Sequence, residues 1–226
     1  MLLLSLLLTI YAGFTHAFEA DHLLAVSNIV SKRNNMKLSV KDGVFWGLGH
    51  ASTIFFIGLL MIVFKTAISE QYFRYFEAVV GIMLIVLAVY RLVKFFYNKK
   101  IVIHTHNHFH AGGQHKHIHL HVSQDIKHQH PHSLAYGVGL VHGLAGSGAL
   151  IVLVMSQMKG PVDRLIYLLI FGAGCIAGMM LAAGLFSVPF SKKMMQANAL
   201  QTFLIITSSL LCLLYGSKVI YENLAV

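Results

Sequence analysis

His16-Ala17-Phe18-Glu19-Ala20-Asp21-His22 sets two imidazoles and two carboxylates inside an otherwise apolar N-terminal stretch. A charged carboxylate at the centre of a bilayer costs roughly 2.5–3.5 kcal/mol on insertion scales, so residues of this kind face a cavity or a partner rather than lipid. Imidazole plus carboxylate is also a donor set for transition metals. The fold follows from whether this stretch lies in a membrane, and the rest of the chain answers that.

The chain has 226 residues, 57% hydrophobic and 11% charged. A soluble domain carries about a quarter charged residues. The apolar runs are too long for core helices and match membrane spans. Six are expected: Leu2–Val30, Val44–Phe64, Tyr75–Tyr97, Leu134–Met158, Leu165–Phe190 and Ala199–Tyr221. The fold class is thus an all-α polytopic membrane protein. Met1–Ile10 lacks the Lys or Arg of a secretory n-region, and the apolar stretch runs on through Leu23, Leu24 and Val26, so span one is read as retained.

The formal charge of +9 is not a nucleic-acid signature, because the Lys and Arg residues sit in short loops without interleaved aromatics. They report orientation instead. Lys32, Arg33, Lys37, Lys41, Arg91, Lys94, Lys99, Lys100, Lys116, Lys127, Lys192 and Lys193 fall on one side; Lys65, Arg74, Lys159, Arg164 and Lys218 fall on the other. This bias places both termini outside a cell membrane and the long central loop in the cytoplasm. Cys175 and Cys212 both lie within expected spans, which speaks against a disulfide framework and for small buried hydrophobes.

The central loop, residues 98–133, carries His104, His106, His108, His110, His115, His117, His119, His121, His128, His130 and His132. The spacing is mostly His-x-His. Alternate residues of an extended chain point the same way, so each run offers a row of imidazoles. With few apolar residues, the loop is expected to lack fixed structure without metal and to serve as an auxiliary metal-binding tether.

The flanking halves look duplicated. Gly13-Phe14-Thr15-His16-Ala17 matches Gly139-Leu140-Val141-His142-Gly143, and Gly47-Leu48-Gly49-His50 matches Gly172-Ala173-Gly174-Cys175. The separation from His16 to His50 equals that from His142 to Cys175 to within one residue. A repeat of three spans inserts its second copy upside down, the inverted plan of many secondary transporters, with the site near the midplane. The expected organisation is residues 1–97, the loop 98–133, and residues 134–226.

Four histidines lie outside the loop: His16, His22, His50 and His142. A lone histidine on an apolar helix is usually a packing residue. Four that coincide with intramembrane carboxylates and match across a repeat read as ligands. The expected metal ligands are His16, Asp21, His22 and His50. Glu19 and His142 are expected to bond to ligands or to add to them. On an unbroken helix, at about 100° per residue, His16, Asp21 and His22 point in three directions. Span one is therefore expected to be distorted between Gly13 and His22, which a membrane tolerates where the break lines a cavity. Gly139-x3-Gly143 and Gly174-x3-Gly178 fit close helix contacts. No phosphate-binding loop is present in the sequence, which argues against direct ATP drive.

His16-Ala17-Phe18-Glu19-Ala20-Asp21-His22 resembles the H-x4-D-H signature of the nickel/cobalt transporter superfamily, and Gly47-Leu48-Gly49-His50-Ala51-Ser52-Thr53 resembles its second signature, of L-G-H-[SA]-[ST] type. The larger members have eight spans and Asp-Thr signatures in their second half. Here the second half reads Gly139-Leu140-Val141-His142-Gly143, which looks like the shorter branch of UreH-type proteins and NicO-type permeases. The resemblance implies metal recognition by His16, Asp21, His22 and His50, and it ranks Ni²⁺ first and Co²⁺ second. The expected activity is a membrane permease and not an enzyme, with the metal as cargo and no cofactor. Its expected partners are the metal ion, the bilayer and a cytoplasmic metallochaperone. The rival readings are a zinc, manganese or nickel/cobalt efflux carrier, a membrane metalloenzyme with Glu19 as base, and a non-transporting metal chaperone.

Overall fold

The computed structural model describes residues 2–31, 33, 35–65, 69–98, 101–110, 113–122, 132–144, 160–190 and 198–225. Among them stand seven helices: α1 (Leu2–His16), α2 (Ala20–Val30), α3 (Met36–Phe64), α4 (Glu70–Asn98), α5 (Ser133–His142), α6 (Pro161–Ser187) and α7 (Asn198–Leu224). Four segments are long and apolar enough to cross a membrane: Met36–Phe64, Gln71–Tyr97, Pro161–Phe190 and Thr202–Leu224. α1 and α2, bent by 57° at a short break, are apolar enough to count as a fifth if the pair is one span. Of the fourth expected span, α5 covers the start; residues 145–158 lie outside the described residues.

The surface fits lipid. Leu3, Leu7, Phe56, Val63, Val86, Phe203 and Leu214 are all exposed, while Trp46, Ile54, Leu84, Met179 and Ile205 are fully buried. Apolar surface on this scale marks a membrane protein. Cys175 and Cys212 are free and buried, as expected; the Cys212 thiol donates to the Leu84 carbonyl at 3.3 Å.

Local sequence sets the helix ends. Asn35 caps α3 by accepting from the Lys37 amide at 2.9 Å. Gly160 precedes Pro161 at the start of α6, where the missing proline N–H costs nothing. The α2–α3 turn is pinned by a buried ion pair: Arg33 donates twice to Asp42, at 2.6 and 3.0 Å. His132, just before α5, also bonds Asp42 at 2.7 Å and stacks flat on Phe45 at 5.0 Å. This joins the start of α5 to the start of α3.

Two helix crossings form the centre. α5 crosses α3 at glycines: a Cβ at Gly139 would run into the Trp46 carbonyl and lie 3.0 Å from the His50 amide. One at Gly49 would meet the Tyr136 carbonyl and lie 3.0 Å from the Leu140 amide. α1 crosses α6 in the same way. A Cβ at Gly13 would meet the Phe171 carbonyl and lie 3.1 Å from the Cys175 amide; at Gly174 it would meet the Ile10 carbonyl and lie 3.0 Å from the Phe14 amide. Small faces let backbones approach this closely. α4 packs on α7 where Gly81 and Gly216 face each other. The first helix of the chain thus packs against α6, in the second half, while α3 holds α5.

The segment expected to lack fixed structure holds an antiparallel pair, β1 (Ile101–His110) and β2 (Gly113–Val122). The alternation of His with Ile, Thr, Phe and Leu suits a ribbon, and Gly113 stands at the turn. The register sets His104 opposite His119, His106 opposite His117, and His108 opposite His115. Directly opposed residues share a face, so all six fall at positions of one face. His128 and His130 lie outside the described residues.

Candidate metal centre

The chain breaks where span one carries its ionisable residues. α1 ends at His16, and its last turn closes tightly, with the Phe18 amide on the Thr15 carbonyl at 2.9 Å and the Glu19 amide on the His16 carbonyl at 3.1 Å. Glu19 then turns to extended backbone (φ −64°, ψ 155°) as the N-cap of α2. Its carboxylate does not cap its own helix. It accepts from His16 Nδ1 at 2.8 Å. The break thus brings His16 and His22, which a straight helix would point apart, to a ring separation of 4.6 Å.

His50, from the middle of α3, completes a triangle: its ring lies 5.2 Å from both His16 and His22. Donor atoms of His16, His22 and His50 all lie within 4.8 Å of one another, and all three residues are buried. Asp21 belongs to a neighbouring group. Its Oδ1 is 3.0 Å from His22 Nδ1 and its Oδ2 is 3.2 Å from His142 Nε2. Asp21, His22 and His142 also lie within 4.8 Å of one another. The His22 and His142 rings stack at 4.3 Å.

These bonds select the tautomers of this arrangement. A neutral imidazole that donates from Nδ1 keeps its lone pair on Nε2. His16 donates to Glu19 and His22 to Asp21, so both present Nε2. Among the described residues neither Nε2 has a hydrogen-bond partner, nor has either ring nitrogen of His50, nor His142 Nδ1. An unsatisfied buried polar atom costs about 1–3 kcal/mol, and such atoms are rare in folded proteins. Three of these rings, His16, His22 and His50, converge within 4.8 Å and form a donor set for a borderline divalent cation. Ligating histidines commonly donate their second N–H to a carboxylate, which is the arrangement at His16–Glu19 and His22–Asp21.

Of the expected ligands, the structure brings His16, His22 and His50 together, and it sets Asp21 with His22 and His142. Two features escaped the sequence reading. Trp46 is fully buried, its indole N–H has no partner among the described residues, and its ring lies 5.6 Å from His22 and 5.8 Å from His142. It stands one helical turn before His50, so the helix period could have found it. His132 is bound to Asp42 apart from the hairpin, and no sequence signal marked it off from the other loop histidines.

A broken apolar helix with convergent imidazoles and carboxylates, beside four helices long and apolar enough to cross a membrane, defines a helical membrane protein with a metal-type donor set. The urease accessory protein UreH of Bacillus sp. (strain TB-90) is 34% identical over 195 residues, spanning 86% of this chain and 81% of that protein. The high-affinity nickel transport protein of Cupriavidus necator (strain ATCC 17699) is 32% identical over 72 residues, which are 31% of this chain and 20% of its own length. No family model and no solved structure matches. The chain belongs to the nickel/cobalt transporter superfamily, in its UreH-type branch.

Proposed function

We propose that this protein is a cell-membrane permease for a divalent transition metal, Ni²⁺ first and Co²⁺ second. The observation that carries the reading is the set of buried, unpartnered nitrogens of His16, His22 and His50 at the break of span one. The ion sheds water and is taken by these three imidazoles. Glu19 and Asp21 hold two of the rings and supply negative charge. Imidazole alone suits Zn, Ni and Co equally; the nickel assignment leans on the relative named as a high-affinity nickel transport protein.

The transport cycle rests on a 3+3 inverted repeat of residues 1–97 and 134–226. The two glycine crossings support it. The offsets that carry His16 to His142 and His50 to Cys175 also carry Gly13 to Gly139, Gly49 to Gly174, Trp46 to Phe171, Ile10 to Tyr136 and Phe14 to Leu140. Each backbone contact of one crossing then has its counterpart in the other. Rocking of one crossing against the other exposes the site to either side in turn. Both termini lie outside, and the histidine ribbon lies in the cytoplasm, where it gathers ions and meets a metallochaperone. A proton competes with the ion for each imidazole, so uptake falls in acid.

The test is nickel uptake by cells or proteoliposomes. His22→Ala and Asp21→Ala each abolish accumulation of radioactive Ni²⁺ at normal protein level. Full transport by both variants would remove the site assignment.

A further inference from the structure

We infer that the centre holds two alternative ion positions that share His22, one made by His16, His22 and His50 and the other by Asp21, His22 and His142. This rests on the permease reading and adds a step to it. Ligand atoms of one ion sit about 2.0–2.2 Å from it, so no two of them are more than about 4.4 Å apart. Each triad draws its donor atoms within 4.8 Å, close to that limit, but Asp21 and His142 do not join His16 and His50 in one group. One ion at a time therefore has two places to rest.

His22 is the hinge between them. It lies between two repeat counterparts, with the His16 ring at 4.6 Å and the His142 ring at 4.3 Å. Its Nδ1 faces Asp21 and its Nε2 is without a partner. A neutral imidazole has one lone pair, on one nitrogen or the other, so His22 serves one position at a time. Two dications at neighbouring positions would also repel strongly in a medium of low dielectric.

The positions differ in access. The side chains of His16, His22 and His142 are each 1% exposed, whereas Asp21 is 15% exposed. The Asp21 position is thus the more open of the two, and the three-histidine position is the closed one. His142 is a ligand of the open position. Its Nδ1, buried and unpartnered, lets the ring change tautomer and present Nε2 to an ion beside Asp21.

The experiment uses full-length protein, with Ni²⁺ as the only probe. Trp46 is the single tryptophan in the chain and stands beside both positions, so quenching of its emission by Ni²⁺ reports the centre rather than the loop. His142→Gln keeps an N–H for Asp21 but is a poor ligand. It is expected to bind Ni²⁺ at the closed position with wild-type affinity by Trp46 quenching, while flux into proteoliposomes falls about tenfold or more. His142→Ala does the same. His50→Ala weakens quenching affinity about tenfold or more. Full flux by His142→Gln with reduced flux by His142→Ala would show a purely structural role and overturn the inference. So would loss of quenching affinity in His142→Gln equal to that in His50→Ala, since all ligands would then serve one ion. Normal binding and flux in His50→Ala would overturn the permease reading itself, and this inference with it.

Discussion

Glu19 sits in the break between α1 and α2, at the N-cap position of the helix that follows it. Its carboxylate instead lies 2.8 Å from His16 Nδ1, at 50% exposure of the side chain. The bond sets which nitrogen of His16 faces inward. Removing such a partner of a ligating histidine typically costs 10–100-fold in metal affinity. Glu19→Ala is therefore expected to weaken Ni²⁺ binding by about 10–100-fold, measured by Trp46 quenching. Glu19→Gln retains an acceptor oxygen and recovers part of the loss. Equal affinity in wild type and Glu19→Ala would mean that the rotamer of His16 is set by packing alone. The residue types at this centre were legible from the sequence. The partition of Asp21 away from His16 and His50 was not, because it depends on how far α2 swings at the break.

At the scale of elements, the glycines of the two crossings decide how close the histidine-bearing helices come. Gly49 and Gly174 each face a carbonyl of the crossing helix. Gly49→Val and Gly174→Val force the crossings apart, and overpacking of this kind costs about 1–3 kcal/mol or more. Both variants are expected to melt at lower temperature in detergent and to lose uptake. Gly137 provides the contrast: it lies on α5, and a Cβ there would meet nothing within 4 Å. Gly137→Ala should be neutral or stabilising by about 0.5–1 kcal/mol, through lower backbone entropy in the unfolded chain. A uniform response of all three would dissolve the argument from close approach. The break in span one was readable in advance, because three polar directions do not fit one helix face. Its location at Ala17–Glu19 and its angle were not, since both follow from packing of α1 on α6.

At the scale of the whole molecule, the strand pair β1–β2 offers a test of what the helical core does without it. Ile101 and Val122 are register partners, so the ends of the hairpin lie side by side and a short linker can replace it. Excision of residues 101–122 is expected to leave substantial Ni²⁺ flux and to lower the number of ions bound per chain, counted by equilibrium dialysis. Loss of flux with the core still folded would make the ribbon an obligatory carrier of the ion. His132 is best kept in such a variant, because it holds the start of α5 to Asp42 and hence to α3.

Composition and apolar run length determined by themselves that this is a helical membrane protein, because burial in hydrocarbon is set by the transfer energy of each side chain and needs no partner. The polar motif was likewise written in one dimension, as spacing. The tertiary structure alone decided that α1 packs on α6 and α3 on α5, and that His142 from the second half stacks on His22. Those outcomes depend on backbone approach between helices far apart in the chain, and a pattern of neighbours along the chain carries no distance across it.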